Sequence, residues 1–70
     1  MPIIYVDAWA DGPDASGLWR GCWRLLRDGN AIRGRFGVTS NRFSSEDLAV
    51  SAARVGGASD KRNIMCTEAQ

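Results

Sequence analysis

The dipeptide Asp28-Gly29 constrains the fold most, because it separates two runs in which apolar and polar residues alternate. Asp-Gly favours a two-residue turn with positive φ at both positions, which is typical of a tight β-hairpin. The flanking runs, residues 18–27 and 30–38, are therefore predicted to be antiparallel strands. With this turn Arg27 faces Asn30, and each step away from the turn extends the same pairing.

This pairing sorts the side chains of the hairpin onto two faces. The residues predicted on one face are large and apolar: Trp19, Trp23, Leu25, Ile32, Phe36 and Val38. The residues predicted on the opposite face are mostly basic: Arg20, Cys22, Arg24, Arg33 and Arg35. A slip of one residue would set arginines among tryptophans, and burial of unpaired charge is costly. We therefore expect one apolar face that joins the core and one basic face that meets solvent.

The segment before the hairpin, residues 3–10, is apolar and partly β-branched and is interrupted by Asp7. Such a run predicts a strand covered on both faces, and hence a central strand. Alternation places Asp7 on the same side as Tyr5 and Trp9. If a helix covers the other side, Asp7 lies with the arginines and pairs with Arg20 or Arg24.

A helix is predicted over residues 45–56. Ser44 can cap the amide of Asp47, the first turn is acidic, and Gly56-Gly57 would end the last turn. Three residues at helical spacing form the expected core-facing stripe, with Ala49 beside it: Leu48, Ala52 and Val55. Residues 63–67 are then predicted to form a short last strand.

These elements predict a single two-layer α+β domain over residues 1–70 with the order β-β-β-α-β. Three strands form an antiparallel meander, one helix lies on one face, and the fourth strand lies beside the first. That order places Cys22 and Cys66 roughly 10 Å apart across two strand spacings. Because a disulfide needs a shorter separation, both are predicted to be free thiols.

The amino-acid composition of the chain excludes several classes of functional site. The chain has 70 residues, nine Lys+Arg against eight Asp+Glu, two Cys and no His. The lack of His excludes His-dependent triads and His/Cys zinc sites, and no cofactor or metal is predicted. No run approaches the ~18 apolar residues of a membrane span and no leader is visible, so we expect a soluble protein in the cytoplasm of a bacterial host.

Several segments resemble the N-terminal half of ribonuclease H: Ile4-Tyr5-Val6-Asp7, the turn with Gly12-Pro13, Gly17 with Trp19, and Thr39-Ser40-Asn41-Arg42 before an acidic helix start. The resemblance implies a nuclease in which carboxylates hold two magnesium ions. The matching acids are Asp7, Glu46 or Asp47, and Glu68. The third acid is Glu where the family has Asp, the helix acid is out of register, and the second half of the family's domain is missing. The alternative is that Glu46 and Asp47 serve the helix N-terminus and that Glu68 is solvated.

The β-β-β-α-β order also resembles HicB-type antitoxins, which are similar to half of a ribonuclease H fold. In size, and in having an Arg and aromatic face on one side, the chain is similar to phage-encoded anti-CRISPR proteins. That second resemblance implies docking on a host surveillance complex, with block of DNA binding or nuclease recruitment.

The predicted binding site consists of Arg20, Arg24, Arg33 and Arg35 with Tyr5 and Trp9. We interpret the chain as a small non-enzymatic binding or inhibitor protein that docks on a host nucleic-acid-processing complex, such as a CRISPR-Cas surveillance complex. The alternatives are a nucleic-acid-binding domain that uses the same face, a reduced ribonuclease H-like nuclease, and simply solvated arginines. An edge strand at residues 30–38 or the open sheet face would also allow two copies to pair.

Overall fold

The computed structural model of the chain describes residues 3–68, and their side chains for residues 3–64. Its elements are β1 (Ile4–Asp11), β2 (Trp19–Arg27), β3 (Asn30–Phe43) and α1 (Glu46–Glu68). The strands form one antiparallel sheet in the order β1-β2-β3, and α1 packs across one face. The predicted α+β class, with a three-stranded meander and a helix on one face, is confirmed.

The β2–β3 hairpin closes at the predicted turn. Asp28 and Gly29 both have positive φ, 51° and 85°. Arg27 pairs with Asn30 and Leu26 pairs with Ala31, as the two-residue turn requires. The turn prediction is therefore confirmed, and the register is correct for the part of the hairpin next to the turn.

A bulge in β3 changes this register further along. From Leu26↔Ala31 to Arg24↔Phe36, β2 advances by two residues and β3 by five. Gly34, with a φ of 78°, lies inside the longer stretch and adopts the left-handed conformation that glycine tolerates. Over this stretch β3 therefore has three more residues than β2. Because three is an odd number, the side chains of β3 beyond the bulge point to the opposite faces from those predicted.

The inversion moves two apolar residues of β3 to the other face. Phe36 pairs with Arg24 and Val38 pairs with Cys22, so they share the face of these residues. The prediction that Phe36 and Val38 lie on the core face is therefore wrong.

The helix is twice as long as predicted and runs through Gly56-Gly57. These glycines pack against Trp23: a Cβ atom at Gly56 would lie 2.7 Å from Cζ3 of the indole. They serve close packing and do not end the helix, so residues 63–67 belong to α1 and do not form a fourth strand. Ser45, and not Ser44, caps the helix, because its Oγ accepts a hydrogen bond from the amide of Leu48 at 3.2 Å.

With three strands in the sheet, β2 is central and β1 is an edge strand, contrary to the prediction for β1. Leu25 is completely buried and forms the core with Ile4 and Ile64, against which Val6 and Ile32 pack.

The helix turns small residues toward the sheet. Ala49 and Ala53 are buried, whereas Leu48 and Val55 of the predicted stripe are exposed. A Cβ atom at Gly21 would collide with the carbonyl oxygen of Ala49. At Gly21 the backbones of β2 and α1 approach so closely that no residue larger than glycine fits there.

Candidate functional site

The candidate site is the face of the sheet opposite α1, called here the open face. Helix α1 covers the other face, where Gly57 lies against Val6 and Trp23. Because side chains alternate along a strand, the residues between those positions point away from the helix. The cross-strand pairs and this alternation give the open face its members: Tyr5, Asp7, Trp9, Asp11, Arg20, Cys22, Arg24, Leu26, Ala31, Arg33, Phe36, Val38 and Arg42.

Four large apolar side chains of the open face remain in contact with solvent. The exposed fraction is 56% for Tyr5, 41% for Trp9, 72% for Phe36 and 53% for Val38. Scattered apolar residues are normal on a protein surface, whereas several on one sheet face are typical of a contact surface. An apolar groove of about 420 Å³ runs between Trp9 and the β3 side of this group.

Arg24 lies at the centre of these apolar side chains. Its Nε donates a hydrogen bond to Oδ2 of Asp7 at 2.8 Å, so the predicted ion pair with Arg20 or Arg24 is confirmed for Arg24. The guanidinium carbon lies 5.9 Å from the centroid of the Trp9 ring, and Phe36 is the cross-strand partner of Arg24. Each of these contacts contributes at most about 1 kcal/mol at such exposure, so they position Arg24 more than they stabilise the fold.

The four predicted arginines do not form one continuous basic face. Arg20 and Arg24 belong to the open face, and alternation from Ala31 places Arg33 there as well. Arg35 lies inside the bulge, next to Gly34, and its Nη1 is 3.4 Å from Oδ1 of Asp60 on α1. Arg35 therefore contacts the helix and not the open face.

The members of the open face that sequence reasoning missed include Phe36, Val38 and Arg42. Arg42 is the cross-strand partner of Arg20, and its Nη1 lies 2.8 Å from Oδ2 of Asp14. The signal that could have revealed them is Gly34, a glycine inside a strand pattern, which often marks a bulge.

Asp14 organises the turn between β1 and β2 beside the open face. Its Oδ1 accepts hydrogen bonds from the amides of Ser16 at 2.8 Å and Leu18 at 3.0 Å. These bonds, that from Leu18 above all, lower the pKa of Asp14 below its ordinary value, and Arg42 acts in the same direction. A depression of about 280 Å³ lies here, lined by Asp11, Gly12, Asp14, Leu18, Arg20 and Arg42.

Cys22 is a free thiol at the centre of the sheet. Burial raises its pKa, and the nearby charge of Asp11 adds to the rise. The thiol is therefore protonated at neutral pH, which disfavours a nucleophilic role. The side chain of Cys66 lies outside the described residues.

The acids of the ribonuclease H resemblance are not brought together within the described part of the chain. Asp7 belongs to the open face, whereas Glu46 and Asp47 begin the helix that covers the other face. Glu68 is in the last turn of α1, and its side chain lies outside the described residues. No group of three or more His, Cys, Asp or Glu residues among those described is arranged to hold a metal ion.

Within residues 3–68, no helix combines the length and the apolar character needed to cross a membrane. Comparisons of the chain with models of protein families, with curated proteins and with solved structures find no match.

Proposed function

We propose that this chain is a non-enzymatic binding protein that docks on a partner protein through its open face. The observation that carries the proposal is the exposure of Tyr5, Trp9, Phe36 and Val38 around Arg24 on that face. Aromatic residues and arginine are enriched at the centres of protein interfaces and supply most of their binding energy.

The exposed aromatic area is large enough to anchor a partner. At roughly 25 cal/mol per Å² of apolar surface, complete covering of Trp9 and of Phe36 would contribute about 2–3 kcal/mol each before the costs of association. Tyr5 and Val38 extend the same surface along β1 and β3. The binding energy would therefore come from a few apolar anchors.

The charges favour a protein over a nucleic acid as the partner. Arg24 is paired with Asp7, and Arg42 with Asp14, so these guanidinium groups are already partly neutralised. The net charge of the chain is only +1. Affinity for nucleic acid comes mainly from many contacts between cationic side chains and phosphates, which this face supplies poorly.

The charges also disfavour a second copy of the chain as the occupant. A symmetric dimer formed face to face has its two-fold axis near the centre of the patch. That axis would bring the two Arg24 side chains toward each other, and like charges at an interface are repulsive. A different protein with an apolar surface fits better.

The partner that we propose is a host nucleic-acid-processing complex, such as a CRISPR-Cas surveillance complex, whose function would be blocked by the docked chain. The exposed apolar side chains of the open face support an inhibitor that occludes a surface of its target. Binding alone would suffice for this action, and no catalytic step is proposed.

The test is an affinity capture from nuclease-treated bacterial lysate, followed by binding measurements with the captured protein after purification. The variant Phe36→Ala/Val38→Ala removes two open-face side chains. The control Val55→Ala/Leu48→Ala removes two side chains of α1 with the same exposed fractions, 72% and 53%. We expect the wild type and the control to retain a stoichiometric protein partner, and the open-face variant to lose at least about tenfold in affinity.

Three outcomes would overturn the proposal. An equal loss of affinity in both variants would show that the partner does not bind through the open face. Recovery of nucleic acid alone, and only when nuclease is omitted, would establish the nucleic-acid function instead. A dimer mass in light scattering that depends on Phe36 and Val38 would identify the occupant as a second copy. Circular dichroism of each variant confirms that it is folded.

A further inference from the structure

We infer that the partner presents a carboxylate, flanked by apolar groups, to Arg24. The inference rests on the proposed docking function and specifies its chemistry. Arginine carries five N–H donors, one on Nε and two on each Nη. The Nε donor is used by Asp7, and among the described residues no hydrogen bond is made by either Nη of Arg24. Half of this side chain is exposed at the centre of the open face, so its four Nη donors are available to a partner.

The position of Arg24 means that a docked partner also covers its guanidinium group. It lies against Trp9 on one side and opposite Phe36 on the other. A partner that covers both aromatic side chains therefore covers the guanidinium group as well and removes its water. Charged donors left without acceptors in an interface are strongly unfavourable, so the partner must bring acceptor atoms to this point.

A carboxylate is the acceptor that fits best. The paired Nη donors match the two oxygens of a carboxylate, and the bonds are strengthened by charge. The hydrogen bond to Asp7 is donated by Nε, which leaves the edge formed by the two Nη groups available. Arg20 and Arg33 belong to the same face, and their charges add attraction for an anion. A neutral carbonyl would accept a hydrogen bond but would not use this charge.

The groups beside the carboxylate must be apolar. Trp9 and Phe36 flank the guanidinium, and an apolar groove runs between them. We therefore expect an acidic side chain between apolar side chains on the partner. A run of acidic residues alone would leave the aromatic anchors uncovered.

The test compares two small probes that share one ring and differ in charge, phenylacetate and phenylacetamide. Each is titrated at millimolar concentration into the isotope-labelled protein, and NMR follows the backbone amides and the Trp9 indole N–H. We expect both probes to shift signals of Trp9 and Phe36, with at least about fivefold tighter binding of phenylacetate. Arg24→Gln should abolish this preference and keep the binding of phenylacetamide, whereas Arg54→Gln, at an exposed position of α1, should leave the preference intact.

A second variant tests the same inference without removing the arginine. In Asp7→Asn the amide oxygen still accepts from Nε, so Arg24 stays in place, but the competing negative charge is lost. We expect phenylacetate to bind about threefold tighter to this variant. Unchanged or weaker binding by the folded variant would contradict the inference.

The outcomes separate this inference from the proposed function. If both probes bind the open face equally well, carboxylate recognition is overturned and apolar docking stands. If neither probe shifts signals of the open face, both are overturned. Shifts caused by phenylacetate only at α1 would also overturn carboxylate recognition by Arg24.

Discussion

The two faces of the sheet each carry a tryptophan, and the two side chains have opposite surroundings. Trp23, on the covered face, packs against Gly37, Gly56 and Gly57: a Cβ atom at Gly37 or Gly56 would collide with the indole, and one at Gly57 would lie 3.3 Å from it. Trp9, on the open face, is 41% exposed and contacts Arg24. The residue type is the same, and the neighbouring residues decide its role. Glycines allow close covering, whereas large and charged neighbours keep a ring available for contact.

The covered face therefore contributes to the stability of the fold, and the open face is the surface available for binding. The covered face depends on small residues such as Gly21, Ala49 and Ala53, which leave no room for change. The open face carries large side chains that contribute little to the core. Substitutions on one side should therefore affect folding, and those on the other should affect binding.

The largest effect is expected for Gly21→Val. Its Cβ atom would collide with the carbonyl oxygen of Ala49 and lie 3.0 Å from Cβ of Ala53. Because the first obstacle is backbone, α1 must move away, and we expect a loss of at least about 3 kcal/mol in the free energy of unfolding. Urea unfolding followed by circular dichroism measures it. Ala58→Val, at an exposed position of α1, serves as the control, and an equal effect there would refute the close packing.

The second prediction compares the tryptophans directly. Trp23→Ala removes a ring packed between the sheet and α1 and should cost about 3–5 kcal/mol. Trp9→Ala removes a partly exposed ring and its contact with Arg24 and should cost about 1 kcal/mol. Urea unfolding of both variants gives the difference. Equal costs would remove the distinction between the two faces.

The smallest effect is expected at Asp14, beside the open face. Its pKa is lowered in the folded state, so its contribution to stability is present above the ordinary value of 3.8 and is lost as pH falls through the lowered pKa. We expect Asp14→Ala to lower Tm at about pH 7, and we expect this difference in Tm to shrink as pH falls through the lowered pKa. Thermal unfolding at several pH values measures this, and a Tm difference independent of pH would contradict it.

Local rules predicted part of the molecule correctly. The Asp28-Gly29 turn, the faces of β1 and β2, and the ion pair of Asp7 with Arg24 all follow from turn chemistry and alternation over short distances. These features depend on neighbours in the sequence or directly across one hairpin. The α+β class follows from them.

The errors that changed the topology and the candidate site involve glycines at two places in the chain. Gly56-Gly57 is a typical helix end in sequence, but here it makes room for Trp23 inside α1. The predicted helix end, fourth strand and central β1 were wrong for this one reason. Gly34 produced the other error, because alternation cannot show how many residues a bulge adds. Within the candidate site, Tyr5, Trp9 and Arg24 were therefore anticipated, whereas Phe36 and Val38 were not.

The bulge at Gly34 also has a consequence for how the binding surface can change through insertions and deletions. Three extra residues of β3 set the alternation that turns Phe36 and Val38 outward. Deletion of one of them would leave an even excess and restore the original alternation, turning both side chains toward α1. The apolar character of the open face thus depends on chain length at one point of β3. Loss of a single codon would therefore remove Phe36 and Val38 from the binding surface, although every aromatic residue would remain in the sequence.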